Sequence, residues 1–338
     1  MLIQESGLPV NYQFKVSSSN KVIIPLGEYA YHKPGLWVVC RPKIDKITLT
    51  VKDLDPDLQN LVQANLIAAE DEKGPYTSAP VSKKAPYYQT RALLTHEPSG
   101  QNALIEAKPK LPGAAFLRME FNPHKLGKAG ISFVYSHLLA LLSGAYFLHE
   151  LLPKVRVTRL DIAVDLIDVP IQDVHVTYGN GGKTLAYFSS VGQLETLYVG
   201  KKKSGPAPGY IYDKKQQLLD NGQPLVFKNV SHARVELHVK SSRPLVKLGT
   251  LKNPLNKLTV QWPLAGPSLD LTPHHWSHFL DSVRLRGLQA ALSLISDGVT
   301  RENYAIGFKK GCEENHIWDA QKLWGMWGEV VHGSGLLP

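Results

Sequence analysis

Arg159-Leu160-Asp161-Ile162-Ala163-Val164-Asp165 is the stretch on which the fold turns. Successive side chains of a strand point to opposite faces, so Arg159, Asp161 and Asp165 share one face while Leu160, Ile162 and Val164 share the other. The pattern lies inside a long strand predicted from Val155 to Ile167, and it recurs twice. In Arg234-Val235-Glu236-Leu237-His238, residues Arg234, Glu236 and His238 oppose Val235 and Leu237. In Arg118-Met119-Glu120-Phe121-Asn122, residues Arg118, Glu120 and Asn122 oppose Met119 and Phe121.

Further strands are predicted on either side of these. Ile47 to Val51 alternates with period two, and strands follow at Ala103–Ala107, Thr184–Ser189, Thr196–Gly200 and Tyr210–Lys214. Asp55-Pro56 reads as an N-cap and first-turn pair, followed by Leu58, Leu61, Val62 and Leu66 on one helical face. A second helix is predicted from Phe133 to Leu152, ended by Pro153. This order of elements is α+β with an antiparallel sheet and packed helices. Beyond Pro244 the chain changes character. Residues 246–271 carry Pro254, Pro263 and Pro267 and read as a linker. Thr272-Pro273 then opens a helix with Trp276, Phe279, Leu280, Val283, Leu288, Ala291, Leu292 and Ile295 at helical spacing, and a last helix is expected over Glu313–Val330. The expected division is an extension over 1–43, a main domain over 44–245, the linker, and a helical appendage over 272–338.

Composition bounds the function. The 338 residues are 43% hydrophobic with a net charge of +9, which is globular and favours a polyanionic partner. Cys40 and Cys312 exclude a disulfide scaffold and a cysteine-built zinc site, and fit a reducing cytoplasm. The most apolar stretch, Leu138–Leu152, is shorter than a membrane span and reads as a buried helix. No secretory signal or membrane association is expected.

Repeated acids on one sheet face repel unless a cation lies between them. Mg²⁺ or Mn²⁺ on Asp161, Glu236, Glu120 and Asp165 is one reading, with Arg118, Arg159 and Arg234 holding phosphate. An arginine–carboxylate ladder that only staples the sheet together is the other. A basic hairpin follows, from Thr196-Leu197-Tyr198-Val199-Gly200 through Lys201, Lys202 and Lys203 to Tyr210-Ile211-Tyr212-Asp213-Lys214-Lys215. A phenol ionises near pH 10, so a nucleophilic tyrosine needs a base, a metal or nearby cations. The hairpin's lysines would supply the cations.

In order and spacing these segments resemble the replication-initiation factor family, the rolling-circle Rep proteins of plasmids, conjugative elements and filamentous phages. The resemblance covers about residues 45–245 and includes Ile44-Asp45-Lys46-Ile47-Thr48-Leu49 and Arg118 to Pro123. It implies a relaxase-like sheet and a site-specific DNA nickase. A tyrosine keeps the 5′ end as a phosphotyrosine and frees a 3′-OH primer. The family's Ile-Tyr-(Asp/Glu)-Lys segment falls on Tyr212 as nucleophile, with Lys214 expected on the same strand face to steady the phosphate. The family's strand acids fall on Asp161 and Glu236, with Glu120 and Asp165 as further candidate ligands for Mg²⁺ or Mn²⁺. Lys201, Lys202, Lys203, Lys215, Arg118, Arg159 and Arg234 are the expected DNA contacts.

Implied partners are origin DNA (single-stranded at the nick, duplex or hairpin nearby), a host helicase and a DNA polymerase. A second copy of the chain is a candidate partner. Tyr210 stands where the family often has arginine, which makes it a rival or second nucleophile. The broader superfamily's His-hydrophobe-His motif is missing, so any metal would rest on carboxylates, with His238 an extra candidate. His274-His275 reads as structural. A non-catalytic DNA-binding regulator of the same fold and a metal-dependent phosphohydrolase remain open beside the nickase.

Overall fold

A computed structural model describes residues 11–15, 21–25, 28–33, 36–71, 75–78, 87–142, 151–179, 183–201, 208–225, 227–263 and 272–337. The fold is α+β, with a large antiparallel sheet and a C-terminal helical part. In chain order the strands are β1 (Asn11–Lys15), β2 (Lys21–Pro25), β3 (Tyr29–Lys33), β4 (Trp37–Cys40), β5 (Lys43–Val51), β6 (Tyr76–Ser78), β7 (Tyr88–His96), β8 (Gln101–Pro109) and β9 (Leu117–Phe121). They continue with β10 (Arg156–Ile167), β11 (His175–Tyr178), β12 (Lys183–Phe188), β13 (Leu194–Lys201), β14 (Gly209–Asp213), β15 (His232–Pro244) and β16 (Leu258–Gln261). The helices are α1 (Pro56–Asp71), α2 (Pro123–Leu141), α3 (Lys214–Asp220), α4 (Pro273–Arg286), α5 (Leu288–Ser293), α6 (Gly298–Glu314), α7 (Ala320–Gly325) and α8 (Trp327–Ser334).

The chain divides into two compact units, neither of them continuous in sequence. The first comprises Met1–Pro42, Ala163–Leu237 and Asn253–Gly325. In it β12, β13, β14 and β15 pair in antiparallel succession, with Tyr198 opposite Tyr210, Thr196 opposite Tyr212, Tyr210 opposite Glu236 and Tyr212 opposite Arg234. One face of these strands is therefore apolar, with Leu197, Val199, Ile211, Val235 and Leu237 buried, and the other carries tyrosines and charges. Gly200 lies at φ +73°, and a Cβ there would come within 2.7 Å of the Tyr178 ring and 2.8 Å of Pro208. Only glycine fits that end of β13.

The second unit comprises Lys43–Ile162, His238–Lys252 and Met326–Pro338. In it β5, β9, β8, β7 and β6 pair in antiparallel order, with Thr48 opposite Glu120 and Glu106 opposite Arg118. α1 and α2 pack on its apolar face, where Ile47, Leu49, Ile105, Met119, Val62, Leu66, Ile131 and Val134 are buried.

Local chemistry accounts for most element ends. The Asp55 carboxylate accepts the Asp57 N–H at 2.9 Å, and α1 starts at Pro56 as expected. α2 starts at Pro123, ten residues before the predicted Phe133. Asn122 caps it by accepting the Lys125 N–H at 2.9 Å, and Pro123 occupies the first turn. The helix ends at Leu141; of the remaining stretch predicted as helix, residues 143–150 lie outside those described, and the predicted end at Leu152 falls in a single 3-10 turn over Leu152–Lys154.

The predicted five-turn helix after Thr272 is divided into α4 and α5 by Gly287 at φ +83°. The expected last helix over Glu313–Val330 is three pieces. Asp297 caps α6 at the Thr300 N–H (2.6 Å), α6 ends at Glu314, and α7 and α8 follow. The stretch read as a linker holds β16, which pairs antiparallel with β11, and residues 1–43 carry β1 to β4.

Candidate active site: two tyrosines on one glutamate

The tyrosine-bearing face of the first unit is assembled by strand register. Tyr210 and Tyr212 lie two residues apart on β14, so both point to the face shared by Arg234 and Glu236 of β15. The Tyr212 hydroxyl donates to Glu236 Oε1 at 2.7 Å, and the Tyr210 hydroxyl donates to Glu236 Oε2. Two phenols thus share one carboxylate. Glu236 is buried, as is Tyr212, while Tyr210 is half-buried. A carboxylate that accepts from a phenol is placed to take its proton, the first requirement for making a tyrosine a nucleophile.

Lys214 does not extend the strand as predicted. Asp213 ends β14 by capping α3, its carboxylate accepting the Gln216 N–H at 2.9 Å, and Lys214 becomes the first helical residue. The cation nevertheless stays close. Lys214 Nζ lies 5.8 Å from the Tyr212 ring centroid and donates to Gln217 Oε1 at 2.6 Å. Lys215 follows it, half-buried on α3. Lys201 is the last residue of β13, and Lys202 and Lys203 lie outside the described residues.

The remaining predicted residues form ion pairs. Arg234 forks onto Asp165, with Nε at 2.6 Å from Oδ1 and the terminal nitrogen at 3.0 Å from Oδ2, and His232 Nε2 lies 3.1 Å from Oδ1. In the second unit Arg159 forks onto Asp161 at 2.9 and 2.7 Å, and His238 Nδ1 lies 2.7 Å from Asp161 Oδ1. Burial pushes the Asp161 carboxyl up, but the hydrogen bonds from His238 and Arg159 outweigh it and hold the group below its ordinary value.

Glu120 belongs to a ladder that crosses four strands. Arg91 pairs with Glu106 at 2.7 Å, Arg118 bridges Glu106 and Glu120, and Glu120 accepts from Lys46 at 3.1 Å and from Thr48 at 3.0 Å. Burial raises the Glu120 carboxyl, and the Lys46 and Arg118 charges with the Lys46 and Thr48 hydrogen bonds bring it below the ordinary value.

These contacts bear on the divalent ion that the resemblance implies. Both oxygens of Asp161, Asp165 and Glu120 are engaged by cationic groups, and both oxygens of Glu236 by phenols. Among the described residues no three His, Cys, Asp or Glu side chains stand where they would hold one ion. As arranged here, the residues do not fit a metal centre. His274, His275 and His278 cluster at the start of α4, exposed to solvent, with ring centroids 4.9–5.0 Å apart.

Sequence reasoning missed Tyr187 on β12, whose ring joins those of Tyr198, Tyr210 and Tyr212. The signal was available, since a tyrosine occurs in each of three consecutive predicted strands. It also missed His232 as a partner of Asp165, two residues before Arg234 on the same strand face. Among the described residues no helix is long and apolar enough to cross a membrane. The chain matches no protein-family model and no curated protein.

Proposed function

We propose that this protein is a rolling-circle replication initiator that nicks its origin DNA through a tyrosine. The observation that carries the reading is the pair of phenols on the buried Glu236 carboxylate, with the Lys214 ammonium beside the Tyr212 ring.

In the proposed reaction the Tyr212 oxygen attacks the scissile phosphorus as its proton passes to Glu236 Oε1. The bond from phosphorus to the 3′ oxygen breaks, the 5′ phosphate stays on the tyrosine, and the proton that Glu236 took from Tyr212 is the one that ends on the departing 3′ oxygen, which leaves as a hydroxyl. One phosphodiester is exchanged for another, so no oxidant, reductant or water enters. Lys214 favours the phenolate and the charge growing on the phosphate. Tyr210 sits on the other oxygen of the same base and is the second candidate nucleophile. The net charge of +9 suits a nucleic-acid substrate. Origin DNA, the host helicase and polymerase, and a cytoplasmic setting belong to this proposal. Mg²⁺ or Mn²⁺ belongs to it as an added component of the reaction.

The test incubates the full chain with single-stranded DNA from its own replicon, with Mg²⁺, with Mn²⁺ and with chelator. A covalent protein–DNA band is sought on a denaturing gel. Wild type and Tyr210→Phe are expected to give the band and Tyr212→Phe to give none. Loss only in Tyr210→Phe moves the nucleophile two residues along β14. DNA that is bound but never captured supports the non-catalytic regulator, and cutting without capture supports the phosphohydrolase.

A further inference from the structure

The two phenols on Glu236 end a longer row. Ring centroids step 5.6 Å from Tyr187 to Tyr198, 5.4 Å from Tyr198 to Tyr210 and 5.6 Å from Tyr210 to Tyr212. The last two contacts are tilted or stacked, at 34° and 28°, and the first is edge-on at 73°. The row zigzags across β12, β13 and β14 on one face. Tyr198 lies directly opposite Tyr210, while Tyr187 lies opposite Thr196, diagonal to Tyr198.

Exposure grades along it. Tyr212 is buried at 6%, Tyr198 and Tyr210 are half-buried, and Tyr187 is 53% exposed. β12 is the edge of its sheet, and Phe188 (47%) and Val191 (78%) beside Tyr187 are exposed as well. Cross-strand tyrosine pairs stabilise a sheet, which accounts for the inner rings. It does not account for large apolar groups left open at the edge.

We propose that Tyr187 and Tyr198 form a stacking platform for the bases of single-stranded DNA, leading the strand along the sheet face to the phenols on Glu236. The inference rests on the nicking reading above and adds to it the place where the uncut strand is held. Aromatic rings on a basic surface are what sequence-tolerant single-strand binding requires, because every base has a π face. A cation accompanies the row at its inner end, where Lys214 stands beside Tyr212.

Fluorescence anisotropy of the full chain tests this with a labelled oligothymidylate and an abasic deoxyribose-phosphate oligomer of equal length. Wild type is expected to bind the oligothymidylate about tenfold more tightly than the abasic oligomer. Tyr187→Ala is expected to lose most of that difference and Tyr187→Trp to keep it, because stacking needs the ring and not the hydroxyl. The abasic comparison is made on wild type and does not depend on any variant folding. Equal binding of the two oligomers by wild type, or Tyr187→Ala discriminating as wild type does, overturns the platform.

The same preparation scored for covalent capture separates the two readings. Wild type that discriminates bases but captures no DNA removes the nicking reaction and leaves the platform. Capture without discrimination removes the platform alone.

Discussion

Arg118-Met119-Glu120 on β9 and Arg234-Val235-Glu236 on β15 are the same Arg-apolar-Glu pattern on two strands, yet their glutamates do different work. Arg118 turns along its own strand to Glu120 and across to Glu106, and Lys46 closes the group, so the charges neutralise one another within the sheet. Arg234 forks across to Asp165, while Glu236 takes a tyrosine hydroxyl on each oxygen. The neighbouring strands make the difference. β5 and β8 offer Lys46 and Glu106 to β9, whereas β14 offers Tyr210 and Tyr212 to β15. A motif read on one strand states what chemistry is available. The strand beside it decides which partners that chemistry meets, cations on β9 and phenols on β15.

If the β9 ladder is structural, breaking it should cost stability. Glu106 is 5% exposed and stands between Arg91 and Arg118. Glu106→Gln removes the anion that Arg91 and Arg118 share, and the expected loss is about 3 kcal/mol, read as a lower denaturant midpoint at unchanged slope. A midpoint equal to wild type would deny the ladder its role.

A smaller effect sharpens the comparison through pH. The Glu120 carboxyl lies below its ordinary value of 4.5, so the folded state holds that proton less readily than the unfolded chain. Its stabilisation is therefore complete above the ordinary value and is lost as pH falls through the lower, folded value. Glu120→Gln should cost about 1 kcal/mol at pH 7. The gap from wild type should close as the pH drops below about 4.5. Denaturant titrations at pH 7, 5, 4 and 3 read this directly, and a gap that widens with acid would reverse the assignment.

How much of this was legible in the sequence follows from the range of each signal. The period-two strands at Ile47–Val51, Arg118–Phe121, Arg159–Asp165 and Arg234–His238 were readable because the alternation of apolar and polar side chains is local to each strand. The start of α2 was readable as well, since Asn122-Pro123 is the same kind of cap as Asp55-Pro56. It was passed over in favour of the apolar run that follows. Gly287 divides α4 from α5 because its φ is positive, and helical spacing of apolar residues on both sides conceals that break.

At the site, Tyr210, Tyr212 and Glu236 were each named, but their sharing of hydrogen bonds was not. It depends on the register of β14 against β15, a property of the pair that neither strand shows alone. Lys214 was misplaced for a local reason, the capping carboxylate of Asp213. The two candidate roles of Arg118 and Glu120, metal site and staple, could not be separated until Lys46 and Glu106 were seen beside them.

The central claim is that Glu236, and not its counterpart Glu120, serves the tyrosines. The most direct measurement is the single-turnover rate of covalent DNA capture by Glu236→Gln and Glu120→Gln, on protein shown by circular dichroism to be folded. The account predicts a fall of about 10²–10⁴-fold for Glu236→Gln and a rate within about threefold of wild type for Glu120→Gln, since general-base help of that size has no counterpart in the ladder. Equal rates for the two variants would contradict it.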